Sequence, residues 1–281
     1  VYDSGYLASA SAHFKFYGKS SHAAFAPEVG RSALDAVELM NVGVNYLREH
    51  VTSKARIHYT TDSGGFSPNI VPPRAGSWYF VRAPHISEVK EILERVRKVA
   101  EGACLMTETS MEMKIDYGCC ELLENHAYAD LAYENLKEAK LPSYTEEELA
   151  FASKLEDTLS GETVENARKL YDTEELPLAM KVGIRDLYQR NPLTASSDSG
   201  DVSYIMPMCL ISTVCWPAAV SPHTWQASAS AGSSIGEKGA LSAARVMAGI
   251  AYDLYQSSET REKILEEFGE KKVEYRPMYE E

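Results

Sequence analysis

The chain has 281 residues, 44% of them hydrophobic and 25% charged, and its 28 Lys and Arg against 41 Asp and Glu give a formal net charge of −13. That composition belongs to a folded globular chain rather than a disordered or fibrous one, and the length suffices for one large domain or two smaller ones. The acidic balance excludes non-specific attraction to nucleic acid or to an anionic membrane surface, and no apolar run approaches the roughly 18–20 residues that a membrane helix needs.

The opening Val1-Tyr2-Asp3-Ser4 has neither the basic nor the apolar region of a signal peptide, and a chain that starts with Val is expected to be either processed or cut from something longer. The five cysteines, Cys104, Cys119, Cys120, Cys209 and Cys215, form no disulfide framework and no zinc-site spacing, which points to a reducing compartment and hence the cytoplasm.

In chain order, Ala10, Ala12, Phe14 and Phe16 alternate with Ser9, Ser11, His13 and Lys15, predicting a half-buried strand over 8–17. A small-residue loop through His22 follows. Ala33, Val37, Met40, Val44 and Leu47 then predict an amphipathic helix over about 30–49. Residues 55–61 form a second strand, broken at Ser63-Gly64-Gly65, and Pro72-Pro73 stiffen the connection to a third at 76–82. Val89, Leu93, Val96, Ala100 and Ala103 mark a second helix, and Met111, Met113, Ile115 and Tyr117 a fourth strand. The order β-α-β-β-α-β is the split βαβ, ferredoxin-like arrangement, with four antiparallel strands and both helices on one face.

Beyond residue 118 the pattern changes. Helices are predicted near 124–139 and 145–160, and a polar segment up to Leu187 fits no element. Residues 194–201 have loop composition, and the apolar run 208–216 predicts a buried strand of an α/β sheet. Ser234 and Glu237 read as a capping box opening a long helix whose shared face is Leu241, Ala244, Ala248, Ala251 and Tyr255, followed by a charged helical tail.

Several residues have the chemistry of a site, each with a plainer structural explanation. His22 is either a solvated loop histidine or an imidazole offered to a ligand by a tight turn. His223, in the loop just past the expected buried strand, is one possible metal ligand, but catalytic zinc takes three from the protein. Asp198 and Asp201 are ligands or turn residues. Asn69 and Arg82, 13 residues apart, are a turn cap and a surface charge, or together hold a carboxylate with an amide donor and a guanidinium fork. Cys119-Cys120 near His126 reads as core rather than as a nucleophile, and His13, His50, His58 and His85 show no supporting neighbours.

The motifs Gly18-Lys19-Ser20-Ser21-His22-Ala23-Ala24, Gly30-Arg31-Ser32-Ala33-Leu34-Asp35-Ala36 and Gly64-Gly65 with Asn69-Ile70-Val71-Pro72 resemble the lid, or dimerisation, domain of the two-metal aminoacylase and glutamate-carboxypeptidase family of peptidases. Arg56-Ile57-His58-Tyr59, Ser197-Asp198-Ser199-Gly200-Asp201-Val202-Ser203 and His223-Thr224-Trp225-Gln226 add likeness to its aminobenzoyl-glutamate hydrolase branch. The likeness runs over about 8–255. It implies an α+β lid over 8–118 inserted in a discontinuous α/β catalytic domain whose second half is 119–281, with 1–7 as linker.

The resemblance further implies a catalytic role for His22 at the oxyanion of a partner chain's site, substrate binding by Asn69, Arg82, Ser197, Asp198 and Thr224, and a metal role for His223. The implied reaction is hydrolysis of an amide next to a carboxylate in a small N-acyl amino acid or dipeptide, such as N-acyl-glutamate. It requires two divalent ions, Zn or Mn, in the complete enzyme. The other ligands and the general-base Glu are expected in an amino-terminal catalytic segment ahead of the lid, so this chain alone is expected to bind metal weakly or not at all and to be inactive. A homodimer through the lid is expected. The competing reading is a non-catalytic dimerising or amino-acid-binding module without a metal centre.

Overall fold

The computed structural model describes residues 1, 5–140, 142–171 and 195–278. They fall into two compact units, one comprising 5–123, 195–206 and 272–278, the other most of the remaining described residues.

The first unit is built on strands β1 (Ala8–Tyr17), β2 (Arg56–Ser63), β3 (Arg74–Ala83) and β4 (Ser110–Cys119), with helices α1 (Ala33–Leu47) and α2 (Ile86–Thr107). The strands form one antiparallel sheet in the order β2-β3-β1-β4, as the β-α-β-β-α-β pattern predicts. Ala8, Ala10, Ala12, Phe14 and Phe16 are fully buried. They pack with Val37, Met40 and Val44 of α1 and Val89, Val96 and Ala100 of α2 in one core. Burying a phenylalanine or valine of this kind contributes about 1.5–3 kcal/mol.

Ser32 caps α1 by accepting the Asp35 N–H at 3.2 Å, where a lost cap costs about 1 kcal/mol. Asn41, a buried polar residue of α1, is satisfied by the hydroxyls of Ser77 at 3.2 Å and Tyr79 at 2.5 Å. The open face of the sheet carries His13, which has neighbours after all: its Nδ1 lies 3.0 Å from Asp62 and its Nε2 2.7 Å from Asp116, and its ring stacks on Trp78. The carboxylates come from β2 and β4, too far apart in sequence for spacing to reveal them.

The second unit's described elements are helices: α3 (His126–Glu138), α4 (Glu146–Glu156), α5 (Gly161–Tyr171), then α7 (Trp225–Ala231), α8 (Ser234–Gln256) and α9 (Ser258–Lys271), while the short α6 (Ser199–Ser203) belongs to the first unit. The unassigned segment up to Leu187 thus contains α5 and otherwise lies outside the described residues.

Three expectations are corrected here. Residues 208–216 form no strand, with a single β-bridge at Leu210, and are mostly half-buried. An apolar run reports burial, and a strand also needs a neighbouring strand to pair with, which the described residues of this unit do not provide. The cap of α8 is Ser233, accepting from Ile235 N–H at 3.2 Å, because Ser234 is turned aside to donate to the Glu148 carboxylate at 2.6 Å. Finally, α8 buries Ile235, Gly236, Gly239, Ser242, Val246 and Ile250, and leaves Leu241, Ala244, Ala248, Ala251 and Tyr255 exposed. Its alanine- and glycine-rich sequence presents two apolar stripes, and periodicity alone did not distinguish them.

Candidate functional site

The loop after β1 and the loop before β3 are zipped together by their backbones. Gly18 N–H donates to Pro73 O at 2.9 Å, Val71 N–H to Ser21 O at 3.0 Å and Ala23 N–H to Asn69 O at 3.0 Å, with a bridge between His22 and Ile70. Gly18 is required by close approach: a β-carbon there would run into the Arg31 carbonyl. This zipper holds His22 and Asn69 on adjacent backbone segments at the end of the sheet where β1 finishes.

The His22 ring is exposed, and its Nδ1 accepts the backbone N–H groups of Ala24 at 3.3 Å and Phe25 at 3.1 Å. A ring nitrogen that accepts carries no proton, so the neutral imidazole is protonated at Nε2 and offers that N–H outward. Ser67 Oγ donates to Asn69 Oδ1 at 2.5 Å, which occupies the amide oxygen and leaves the NH2 as the donor. Two polarised N–H groups therefore stand on one loop pair, suited to an oxygen that gains negative charge.

Arg82 is at the other end of β3. In the register of the sheet Arg74 lies opposite Tyr17 and Arg82 opposite Ser9, eight residues along the strand, or about 26 Å. One chain thus separates Arg82 from His22 and Asn69. Two further guanidiniums, Arg48 and Arg56, act on the same imidazole as Arg82, that of His58. Arg56 pairs with Arg82 across β2 and β3. The His58 imidazole is held below its ordinary range first by burial, then by Arg82, Arg48 and Arg56. Arg48 and Arg56 are committed to backbone carbonyls, of Ile57 at 2.7 Å and of Ser53 and Ala55 at 2.7 Å.

The loop of Ser197 and Asp198 is brought to this same end. Leu7 N–H donates to Ala195 O at 2.9 Å beside the start of β1, and Leu123 N–H to Ser203 Oγ at 2.8 Å. Ser197 Oγ donates to Asp198 Oδ1 at 3.1 Å. Burial raises the Tyr117 phenol, as do its bond to Cys119 and the carboxylates of Asp198 and Asp201. Among the described residues the hydroxyls of Ser9, Ser196 and Ser199 are buried and find no hydrogen-bond partner, a costly condition that a bound acceptor relieves. Cys119 and Cys120 are buried at the end of β4, the Cys120 thiol pushed up to about 12 chiefly by burial, which agrees with reading them as core.

His223 and Thr224 lie in the other unit. Thr224 caps α7, its Oγ1 accepting Ala227 N–H at 3.3 Å. His223, exposed, has a positive φ of 65°, a left-handed conformation that costs a non-glycine residue about 1 kcal/mol or more. Among the described residues no strand precedes it, and the half-buried stretch 208–216 leads into its loop instead. Among the described residues no group of three or more His, Cys, Asp or Glu converges to hold a metal ion, and no helix is long and apolar enough to cross a membrane.

Comparison with known proteins agrees with this fold. Residues 8–106 match the peptidase dimerisation domain. The chain is 39% identical over 266 residues to a subunit of the p-aminobenzoyl-glutamate hydrolase of Escherichia coli, covering 90% of this chain and 55% of that protein. It is 27% identical to the Xaa-Arg dipeptidase of Mus musculus, covering 95% of this chain and 53% of that one. The chain therefore spans about half the length of the curated relatives it matches. Among solved structures, the aminobenzoyl-glutamate utilization protein from Klebsiella pneumoniae matches 48% of this chain and 34% of its own with a TM-score of 0.43 and 23% identity.

Proposed function

The chain carries a peptidase dimerisation domain over residues 8–106 and is a relative of p-aminobenzoyl-glutamate hydrolase; on that premise we propose that it supplies the lid and one flank of the catalytic body of a metal-dependent amidohydrolase. The substrate is a small N-acyl amino acid or dipeptide, an N-acyl-glutamate such as aminobenzoyl-glutamate, cleaved at the amide next to a carboxylate.

The observation that carries this reading is the separation of donors and anchor along the sheet. His22 and Asn69 stand at one end, Arg82 at the other, so one substrate reaches both groups only if two chains contribute. Antiparallel pairing of β2 with β2 of a second copy about a twofold axis brings opposite ends of the two sheets side by side. β2 is the edge open to this, since Met278 packs against Gly118 on β4, the other edge. In the homodimer so formed, Arg82 of one chain binds the substrate carboxylate, with the Ser197–Asp198 loop beside it. The Nε2–H of His22 and the Asn69 NH2 of the other meet the carbonyl oxygen as it becomes an oxyanion.

Two divalent ions, Zn or Mn, belong to this reading, but the described residues do not form a site for them. His223 is proposed as a single ligand, and the steps assigned to this chain are anchoring and oxyanion stabilisation only. The exposed stripe of α8 supports a larger catalytic body, because a helix with apolar side chains such as Leu241 and Tyr255 at 58% and 86% exposure is suited to packing against more protein.

The test is turnover of N-acyl-glutamates by the whole protein. Losing one oxyanion donor costs about 10²–10³ in kcat, so His22→Ala lowers kcat by that order, whereas Arg82→Ala acts chiefly on KM. Wild-type turnover of both variants overturns the assignment. That the described residues gather no three-ligand cluster favours a second reading, a dimerising module that binds an amino acid without metal. It predicts thermal stabilisation by glutamate that EDTA leaves unchanged.

A further inference from the structure

Phe25 and Phe66 are 87% and 88% exposed, and both belong to the zipped loops that hold His22 and Asn69. Burial of such rings is favourable and their exposure is not, so two on one small loop pair are an unmet demand for an apolar surface. Phe25 is placed by the same contacts that set the His22 tautomer: its own N–H is one of the two donors to Nδ1. Its ring stands edge-on to the imidazole, 6.4 Å between centroids. Phe66 lies three residues before Asn69, whose carbonyl fastens the first loop, and the turn between them is closed by Ile70 N–H on Ser67 O at 3.1 Å. Just before Phe66, Gly65 takes a φ of +103° against the Pro72 ring, a conformation that fixes where the chain leaves β2.

We propose that Phe25 and Phe66 are specificity-determining residues that grip the acyl group of the substrate and select for an aromatic acyl group over a small aliphatic one. This rests on the reading of His22 as the oxyanion donor. The carbonyl that His22 addresses bears the acyl substituent on one side and the amide nitrogen on the other; with the amine half drawn toward Arg82, the acyl side is the one left at the loops of His22, where Phe25 stands against the imidazole. The carboxylate of the amine half is held apart, at Arg82. An aryl ring beside Phe25 finds an offset or edge-to-face partner, while an acetyl group has too little surface to reach either ring.

The experiment measures kcat/KM of the whole protein for 4-aminobenzoyl-glutamate and for acetyl-glutamate, together with calorimetric binding of each, in Phe25→Ala, Phe66→Ala and the double variant. Truncating side chains this exposed removes no core contact, and circular dichroism checks the fold. The expected result is a fall of about tenfold in the aromatic-to-acetyl ratio in the double variant, matched by weaker binding of the aryl compound. An unchanged ratio in a protein that turns over the aryl substrate overturns this proposal alone. Failure of the unsubstituted protein to cleave either compound overturns the amidohydrolase reading, and this proposal with it.

Discussion

His22 shows how much a site depends on atoms that a sequence does not specify. The residue is recognisable from its motif, but the direction of its usable proton follows from two backbone N–H groups at 3.1 and 3.3 Å that occupy Nδ1. If that assignment holds, His22→Gln, which keeps an outward N–H donor, retains more of kcat than His22→Ala, and steady-state kinetics on the two variants measures the difference. At His223 the backbone and the ring make separable contributions. Glycine relieves the left-handed strain, so His223→Gly is expected to hold or gain stability by up to about 1 kcal/mol while abolishing any contribution of the imidazole; comparing its unfolding with that of His223→Ala, which keeps the strain, tests this. Asn69 and Arg82 were legible as a pair of donors but not as a separated pair, because their 13-residue spacing says nothing of the strand that runs between them.

At the scale of elements, strands and helices with one buried face were readable almost to their ends, from Ala8–Tyr17 to Ser110–Cys119, since alternation or a 3.6-residue period leaves one solution there. Reading failed where apolar content outran periodicity, in the 208–216 run and on α8. Tertiary partners decided the outcome in both, as they did for the cap that moved from Ser234 to Ser233 once Glu148 claimed the Ser234 hydroxyl. Glu148 ties α4 to α8: Lys238 lies 2.6 Å from it, and with Ser234 and the Thr145 N–H holds its carboxyl down to about 2. A carboxyl depressed in the folded state stabilises above its ordinary value near 4.5 and loses that contribution as the pH falls toward about 2. Glu148→Gln is therefore expected to melt below the parent at neutral pH, with the gap closing through that acid window in thermal scans. In the lid, α1 meets α2 at Gly43, where a β-carbon would come within 2.6 Å of Val99 Cγ1. Gly43→Val is expected to wedge the helices apart and cost about 1–3 kcal/mol in denaturant unfolding.

The whole molecule is explained by what one copy lacks. The sheet separates His22 and Asn69, the proposed oxyanion donors, from Arg82, the proposed carboxylate anchor. The β2 edge is open, and α1 turns Leu39, Val42 and Tyr46 outward at 38%, 51% and 72% exposure. A homodimer answers all three features, and light scattering is expected to give about 62 kDa, twice the 31.1 kDa chain. The most direct test of the shared site mixes two impaired partners. His22→Ala and Arg82→Ala whole proteins, each impaired alone when assayed at substrate well below the parent's KM, are combined and allowed to exchange subunits. If His22 of one chain serves the site of the other, each mixed dimer has one site with both groups intact, and activity recovers to about a quarter of wild type. A mixture no more active than its components, with exchange demonstrated, would mean that both residues serve the same chain's site or none.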